Sequence, residues 1–211
     1  MFALEDTLLD TRAGRLAVIH ALSGATPADV AAFEATGEYD DPWIIARAAG
    51  TWVRAGRPRP IPSGGWRVVV NQCGGDPGDL AIKARTLSEL RGWKAEAPRV
   101  DATRLVRLAE LAQLAVVTGR DRTALARAEG VLGYHFGAAT TAEDGLRPDP
   151  QVVLRHGPNG HYIGVTEADR ATAGAARFVF HDATKGLAPI VDRMIQKLTP
   201  VDALPIVPQE I

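Results

Sequence analysis

The amino-acid sequence predicts an α/β protein in which a mostly parallel sheet carries helices on both faces. Short apolar runs of strand length alternate with segments of helical periodicity from residue 101 to residue 198, and this alternation is typical of parallel sheets. Between about residues 12 and 104 the patterns are mainly helical, which indicates a helical insertion after the first strand. A chain of 211 residues is long enough for such a core and such an insertion.

Before residue 101 the patterns predict one strand and at least three helices, separated by loops rich in proline and glycine. Thr26 and Pro27 mark one helix start, because threonine caps helices and proline suits the first helical position. In chain order we expect a strand at 1–4, helices at 11–22, from 27 and at 43–53, and loops at 56–65 and 74–79.

After residue 101 helices and strands alternate regularly. The predicted order is a helix at 101–113, a strand at 114–117, a helix at 121–132, a strand-like turn near 134–138, a helix after 150, a strand at 161–164, a helix at 169–175, a strand at 177–181 and a helix at 185–198. Three prolines make 199–211 an expected extended tail.

Charge and composition exclude several classes of partner and compartment. Lys plus Arg is 24 and Asp plus Glu is 25, so the net charge of −1 predicts neither a nucleic-acid nor an anionic-membrane partner. Cys73 is the single cysteine, so no internal disulfide can form. The sequence also has no apolar run of about 18 residues and turns acidic at Glu5, without a basic signal-peptide start. We therefore expect a cytoplasmic location.

Polar loops follow three of the predicted strands, and they carry residues in a distinctive order. The segments are Phe2-Ala3-Leu4-Glu5-Asp6-Thr7-Leu8-Leu9-Asp10-Thr11, Val116-Val117-Thr118-Gly119-Arg120, Arg147-Pro148-Asp149-Pro150 and Tyr162-Ile163-Gly164-Val165-Thr166-Glu167-Ala168-Asp169. Loops at the carboxyl ends of parallel strands meet at one edge of the sheet. In this order the segments resemble the haloacid dehalogenase (HAD) superfamily, and more narrowly its phosphatase-like branch with a helical cap inserted after the first motif.

The resemblance covers nearly the whole chain apart from the tail. It implies a Rossmann-like HAD core built from residues 1–11 and 105–198, a mainly α-helical cap at 12–104 and the tail at 199–211. Family membership also implies Mg²⁺ and an aspartate nucleophile that takes phosphate from a substrate.

The sequence departs from the family motifs where the chemistry takes place. An ungapped match puts Ala3 at the nucleophile position, Glu5 at the general acid/base position and Asp6 at a glycine. In the last motif the family glycine is kept as Gly164, Val165 replaces the first acid, and Asp169 can supply the second. A methyl group cannot form a phosphoryl-enzyme, and Mg²⁺ needs hard oxygen ligands. We therefore expect no cofactor, or Mg²⁺ only if the ancestral site is partly retained, and no other metal.

Three residues keep the ability to bind a phosphate. Thr118 stands where the family has a Ser or Thr, the backbone amide of Gly119 follows it, and Arg147 replaces a lysine. One alternative is that they bind an anionic ligand, and the other is that Arg147 pairs with Glu5 or Asp169 inside a vestigial cleft. Glu5 is otherwise expected to be solvated in its loop.

The inserted segment supplies three further candidates, because it resembles the cap of an uncharacterised HAD subgroup. Asp40, Asp41 and Trp43 lie where that cap would meet the substrate, although packing is the alternative role for Trp43. The five histidines show no metal-ligand spacing, so surface or core roles are expected for each.

Three hypotheses follow for the function. The leading one is a HAD-like phosphatase relative that is catalytically inactive and acts as a ligand-binding or interaction protein. The alternative is a phosphoric monoester hydrolase that acts on a small phosphorylated metabolite through a rearranged carboxylate such as Glu5 or Asp6. The third is a purely structural partner with an empty cleft. The partners considered are a small phosphorylated ligand, another protein or a second copy of the chain.

Overall fold

The structure is a computed structural model that describes residues 1–36, 42–62, 64–75, 78–145 and 147–200, with the backbone alone of residues 42 and 89–91. The strands are β1 (Phe2–Ala3), β2 (Leu9–Asp10), β3 (Ala97–Pro98), β4 (Ala115–Val117), β5 (Ala138–Thr140), β6 (His161–Gly164) and β7 (Val179–Asp182). The α-helices are α1 (Arg12–Ser23), α2 (Pro27–Glu34), α3 (Pro42–Arg54), α4 (Gly65–Cys73), α5 (Leu80–Arg91), α6 (Ala102–Ala109), α7 (Arg122–Leu132), α8 (Gln151–Leu154), α9 (Glu167–Ala175) and α10 (Ala188–Leu198).

Within the described residues, five strands form one sheet in the order β5-β4-β1-β6-β7. All of its strand pairs are parallel, and Phe2 of β1 lies between Val116 of β4 and Ile163 of β6. Helices connect successive strands of this sheet. The predicted α/β class with a mostly parallel sheet is confirmed. A separate antiparallel pair joins β2 and β3.

The chain divides into two compact units. One contains Met1–Asp10 together with the chain from Ala97 onward, and the other is Thr11–Glu96. The second boundary lies eight residues before the one we drew at 104/105, because β3 pairs with β2 and so belongs with the sheet unit. From residue 201 onward the predicted tail is outside the described residues.

The regular elements described in the second unit are all helices, joined by loops, and the unit has its own apolar core. Phe33 and Trp52 meet edge to face, with ring centroids 5.6 Å apart. Thr26 and Asp29 form the capping box that starts α2, which is the helix start predicted from Thr26 and Pro27. Trp43 is partly buried against this core, so its contacts within the unit are those of a packing residue.

The sheet unit buries apolar residues on both faces of the sheet. Alternate side chains of a strand point to opposite faces, and Phe2 accordingly packs in one cluster while Ala3 packs in another. The cluster around Phe2 includes residues of α6 and α10, and the cluster around Ala3 includes residues of α8 and α9. The helices therefore cover both faces of the sheet, as expected from the sequence.

Two of the described strands begin two or more residues later than the sequence patterns indicate. The strand expected near 134–138 is β5 at Ala138–Thr140. It begins later because Tyr134 and Phe136 pack edge to face, with ring centroids 4.8 Å apart, and Phe136 is buried before the strand starts. The last strand begins at Val179 rather than at Arg177, whose φ of +60° is incompatible with a strand.

Among the described residues no single helix is both long and apolar enough to cross a membrane. α1 and α2 meet the length and composition test only as a pair that is bent by 106° at its break.

Candidate active site

The carboxyl ends of three neighbouring strands bring the predicted motif residues together. Glu5 follows β1, Thr118 directly follows β4, and Asp169 lies in the first turn of the helix after β6. The Thr118 hydroxyl donates a short hydrogen bond to Oε1 of Glu5, across 113 positions of the chain. The expectation that these loops meet in space is therefore fulfilled by direct contact.

Glu5 is held by donors from two other loops. Its Oε1 also accepts a hydrogen bond from Nε of Arg120 at 3.3 Å, and its Oε2 accepts one from Nη2 of Arg147 at 3.2 Å. The side chain of Glu5 is 28% exposed. The prediction that Glu5 is simply solvated in its loop is wrong, because the tertiary structure places two guanidinium groups and a hydroxyl around it.

Asp169 is fully buried, and both of its oxygens are fully hydrogen-bonded. Oδ2 accepts from the amides of Val165 and Thr166 at 3.1 and 3.0 Å and from the Thr166 hydroxyl at 2.8 Å. Oδ1 accepts from Nη1 of Arg147 at 2.5 Å and from the Tyr162 hydroxyl at 3.1 Å. A carboxylate has about four lone-pair sites, so these five donors leave none for a ligand.

Arg147 bridges the two carboxylates, with one nitrogen on Asp169 and another on Glu5. Burial alone favours the neutral guanidine, but the charges of Glu5 and Asp169 outweigh burial and raise the pKa of Arg147. Burial likewise raises the carboxyl pKa of Asp169, while the charge of Arg147 and the Thr166 amide outweigh it, so the pKa is lowered overall. Both groups are therefore charged at neutral pH.

Tyr162 and Gly164 belong to this arrangement, although neither was singled out from the sequence as a site residue. Burial, followed by the charge of Asp169, raises the pKa of Tyr162, so its phenol stays protonated and donates a hydrogen bond. A Cβ on Gly164 would lie 2.5 Å from the Cβ of Asp169. Only glycine therefore allows β6 and the start of α9 to approach this closely. The one sequence signal was the family match of Gly164.

A further residue outside the motifs shapes the first loop. Arg99 donates to the backbone carbonyl of Asp6, and its other terminal nitrogen donates to the carbonyl of Ala183 at 3.2 Å. Asp6 has a φ of +54°, a left-handed conformation that glycine adopts most easily. The position that matches a family glycine therefore keeps the glycine backbone conformation with an aspartate in place.

The two positions that would carry the missing acids are apolar and packed. Ala3 is fully buried in β1 and belongs to the apolar cluster with Val117 and Tyr162. Val165 is partly buried against the cluster on the other face. Neither side chain has an atom that can attack phosphorus or coordinate a cation.

The carboxylate oxygens that remain at this site do not suit the magnesium ion that the family resemblance implies. Mg²⁺ requires near-octahedral oxygen ligands, whereas the lone pairs of Asp169 are already used and Glu5 faces Arg120 and Arg147. Two guanidinium charges also repel a divalent cation. Among the described residues no group of three or more His, Cys, Asp or Glu could hold a metal ion.

The other sequence candidates have separate positions. Gly119 is exposed directly after Thr118. Asp40 and Asp41 lie outside the described residues, and Trp43 packs within the helical unit. The histidines form contacts that spacing along the chain did not reveal, among them His161 with His181 at 2.8 Å and His135 with Glu129 at 2.5 Å.

The chain is similar in structure to several known proteins. Neither a protein-family model nor a curated protein matches the sequence. Phosphatase Tt82 of Thermococcus thioreducens is 24% identical, with a TM-score of 0.75, over 92% of this chain and 98% of that one. YfnB of Bacillus subtilis, described as a HAD hydrolase and bound to magnesium, is 14% identical with a TM-score of 0.58, over 92% and 96%.

L-2-haloacid dehalogenase of Xanthobacter autotrophicus, with chloropropionic acid covalently bound, is 19% identical with a TM-score of 0.50, over 95% of this chain and 83% of that one. At these identities the likeness shows the fold. The chain therefore has the fold of the HAD hydrolases, as its motif order indicates.

Proposed function

We propose that this protein is a HAD-fold relative of the phosphatases that does not hydrolyse phosphate esters and that acts by binding. The observation that carries the proposal is the ion cluster of Glu5, Arg147 and Asp169. It occupies the strand ends at which the family holds its phosphate and its metal ion. We call these residues, with Thr118 and Arg120, the central ion cluster.

The first support is the absence of a nucleophile at the matched position. Phosphoryl transfer through a covalent intermediate needs a side-chain oxygen that can attack phosphorus. Ala3 presents a methyl group that is fully buried. The acid-free side chain of Val165 at the last motif is consistent with that loss, because the two family acids would act on the same ion.

The second support is the way Glu5 uses the phosphate donors. The Thr118 hydroxyl and Arg147 are the groups that the family resemblance assigns to phosphate, and both donate to the Glu5 carboxylate. A phosphate dianion would have to displace Glu5 and would be repelled by Glu5 and Asp169. Glu5 therefore already uses the hydrogen-bond donors that a phosphate would need. We propose that the protein binds its ligand or partner elsewhere on its surface.

A second candidate function rests on the exposure of Glu5. Its side chain is 28% exposed at the position of the family's general acid/base, so it could activate a water molecule without a phosphoryl-enzyme. The likeness to the Thermococcus phosphatase supports the same class of reaction. Against it, the two guanidinium partners stabilise the ionised carboxylate in a structural pair.

A phosphate-release assay separates the two candidates. The purified protein is incubated with a panel of phosphomonoesters, with and without Mg²⁺, and we expect no release above the buffer rate. Turnover that is abolished in Glu5→Gln and retained in Glu143→Gln, whose carboxylate is half-exposed on the same unit, would establish the hydrolase instead. Circular dichroism of both variants confirms that they are folded.

The remaining expectations about cellular context stay predictions. We propose a cytoplasmic protein with a small anionic ligand, a protein partner or a second copy of the chain, and with neither nucleic acid nor membrane as its target. Cross-linking and light scattering of the purified chain test the second-copy expectation directly.

A further inference from the structure

A cavity of about 250 Å³ lies in the sheet unit at the amino ends of the strands. It is lined by the first residues of three strands, namely Phe2 of β1, Ala115 of β4 and His161 of β6. The central ion cluster follows the carboxyl ends of the same strands. The cavity is therefore a separate site from that cluster.

The body of the cavity is apolar. Ile163 and Phe178 contribute from the sheet side, and Leu108 contributes from α6. Ile190 and Met194 line it from α10 at the four-residue spacing of one helix face. Such walls favour an apolar ligand body, because transfer of apolar surface out of water is favourable.

Basic side chains surround the same cavity. His161, His181, Arg193 and Lys197 all contribute to its lining, and none of the described lining residues is Asp or Glu. Arg193 and Lys197 are exposed on α10, one turn apart, and neither forms an ion pair within the part of the chain that the structure describes. This excess of positive charge attracts an anion.

Two of the lining histidines, His161 of β6 and His181 of β7, contact each other on the sheet. Nδ1 of His161 and Nε2 of His181 are 2.8 Å apart, and the two rings lie with centroids at 5.0 Å. Ile163 and His181 are register partners, so both face the side of the sheet that carries the cavity. Burial, and then nearby positive charges that include those of Lys197 and Arg193, lower the pKa of His181.

We propose that this cavity binds a small amphiphile with one anionic head group and a short apolar body. The head group lies against Arg193, Lys197 and the histidine pair, and the apolar body enters between β6 and α10. A volume of about 250 Å³ is just below the range of roughly 300–1,000 Å³ typical of drug-sized ligands. This volume would hold roughly eight water molecules. We therefore choose an eight-carbon chain as the probe.

The test is binding of octanoate to the full chain, measured by calorimetry and by the ring Cε1–H resonances of His161 and His181. We expect saturable binding that perturbs both resonances, and weaker binding of octan-1-ol, which has the same chain without the charge. Octyl phosphate distinguishes a phosphate head from a carboxylate head. Inorganic phosphate alone should bind far more weakly, because it lacks the apolar body.

Two double variants locate the head group. Arg193→Gln with Lys197→Gln should weaken octanoate binding about tenfold, the order expected for loss of two partly exposed charge contacts. Arg107→Gln with Lys185→Gln removes the same charge from exposed residues that do not line the cavity, and it should leave binding unchanged. Ala112→Phe narrows the cavity and should reduce binding of every eight-carbon probe.

Three results would overturn the proposal: no saturable octanoate binding, equal binding of octanol and octanoate, or an equal loss of affinity in the two double variants. Binding of inorganic phosphate as tight as that of octyl phosphate would also contradict it. Because the cavity and the central ion cluster share no residue, phosphatase activity would not affect the outcome.

Discussion

Nη1 of Arg147 donates a 2.5 Å hydrogen bond to Oδ1 of Asp169, a carboxylate with no exposed surface. A buried carboxylate is stable only when it is paired and hydrogen-bonded. The pair therefore links the segment before α8 to the start of α9 and makes the central ion cluster part of the folded framework.

Removal of Arg147 should destabilise the protein strongly. Arg147→Met leaves the buried charge of Asp169 without its cation, and loss of one partner of such a pair costs roughly 3–5 kcal/mol. Urea denaturation followed by circular dichroism measures the change. Arg122→Met is the matched control, because Arg122 is 72% exposed in its ion pairs, and it should cost less than about 1 kcal/mol. Equal losses in the two variants would show that the pair contributes no more than a surface ion pair.

The pH dependence of stability should report on Asp169. Its folded pKa is lowered overall, since Arg147 and the Thr166 amide outweigh burial, so its contribution is fully present above the unfolded value of about 3.9. That contribution is lost as the pH falls through the lower folded pKa, because the unfolded chain binds the proton first. We expect the difference in unfolding free energy between the wild type and Asp169→Asn to be largest above pH 4 and to shrink below it.

The control for the pH experiment is Glu167→Gln on the same helix, where the carboxylate is 86% exposed. Its difference from the wild type should be small at every pH. A difference between the wild type and Asp169→Asn that stays constant from neutral to strongly acid pH would refute the role of the charge.

Glycine at position 164 should be essential for the close approach of β6 and α9. A Cβ there would lie 2.5 Å from the Cβ and 2.7 Å from the Cγ of Asp169, so Gly164→Ala should cost at least the roughly 1–3 kcal/mol typical of overpacking. In α9, Gly174→Ala adds a Cβ that no described atom outside the local helix backbone approaches within 4 Å, and it should stabilise by about 0.5–1 kcal/mol. Thermal unfolding of both variants checks the opposite signs.

The backbone conformation of Asp6 leads to a comparison of two variants. Asp6→Gly and Asp6→Ala both remove the side-chain carboxylate, so their difference isolates the cost of a φ of +54°. Glycine should be the more stable by about 1 kcal/mol, because the left-handed region is unfavourable for alanine. At Asp149, which is not among the described residues with positive φ, the same two substitutions should show no preference for glycine. If alanine equals glycine at position 6, the left-handed conformation is not maintained in solution.

Reintroduction of the two family acids should create a response to magnesium. In Ala3→Asp with Val165→Asp, the carboxylate added at residue 3 is buried in an apolar cluster, so the melting temperature should fall. Millimolar Mg²⁺ should recover part of the loss, because a cation that binds only the folded state stabilises it. The matched control, Ala3→Asn with Val165→Asn, should show no such recovery, and the wild type should not respond.

Recovery in the asparagine variant would mean that magnesium acts elsewhere on the chain. Measurement of phosphate release in the aspartate variant, in the same buffers, then tests the motif match itself. Restored turnover is the result expected if loss of these two acids is what removed the activity.

The order of strands and helices in the sheet unit was predictable because it depends on local patterns. Apolar runs of strand length, such as 114–117, lie close to β4, and in the helical unit the capping residue Thr26 likewise marks a true helix start. β5 was misplaced because the aromatic residues Tyr134 and Phe136 are strand formers in isolation, whereas here they pack into the core before the strand begins.

The sequence predicted which residues belong to the site, but not how they pair. Motif order brought Glu5, Thr118, Arg147 and Asp169 into one list, but two alternatives stayed open for Arg147. The structure pairs it with both carboxylates. Tyr162 could not be found, because an aromatic residue within a strand is normally a core residue and its hydroxyl contact appears only in three dimensions.

By itself the sequence determined the α/β class, the order of the motif loops and the absence of acids at positions 3 and 165, since each of these depends on residue identity or short-range periodicity. Only the tertiary structure decided which charges pair and where a cavity forms. Glu5 meets Thr118 across 113 positions, and Arg193 and Lys197 of α10 line one cavity with His161 of β6. Such contacts depend on strand order and helix packing, which long-range burial sets and local patterns do not encode.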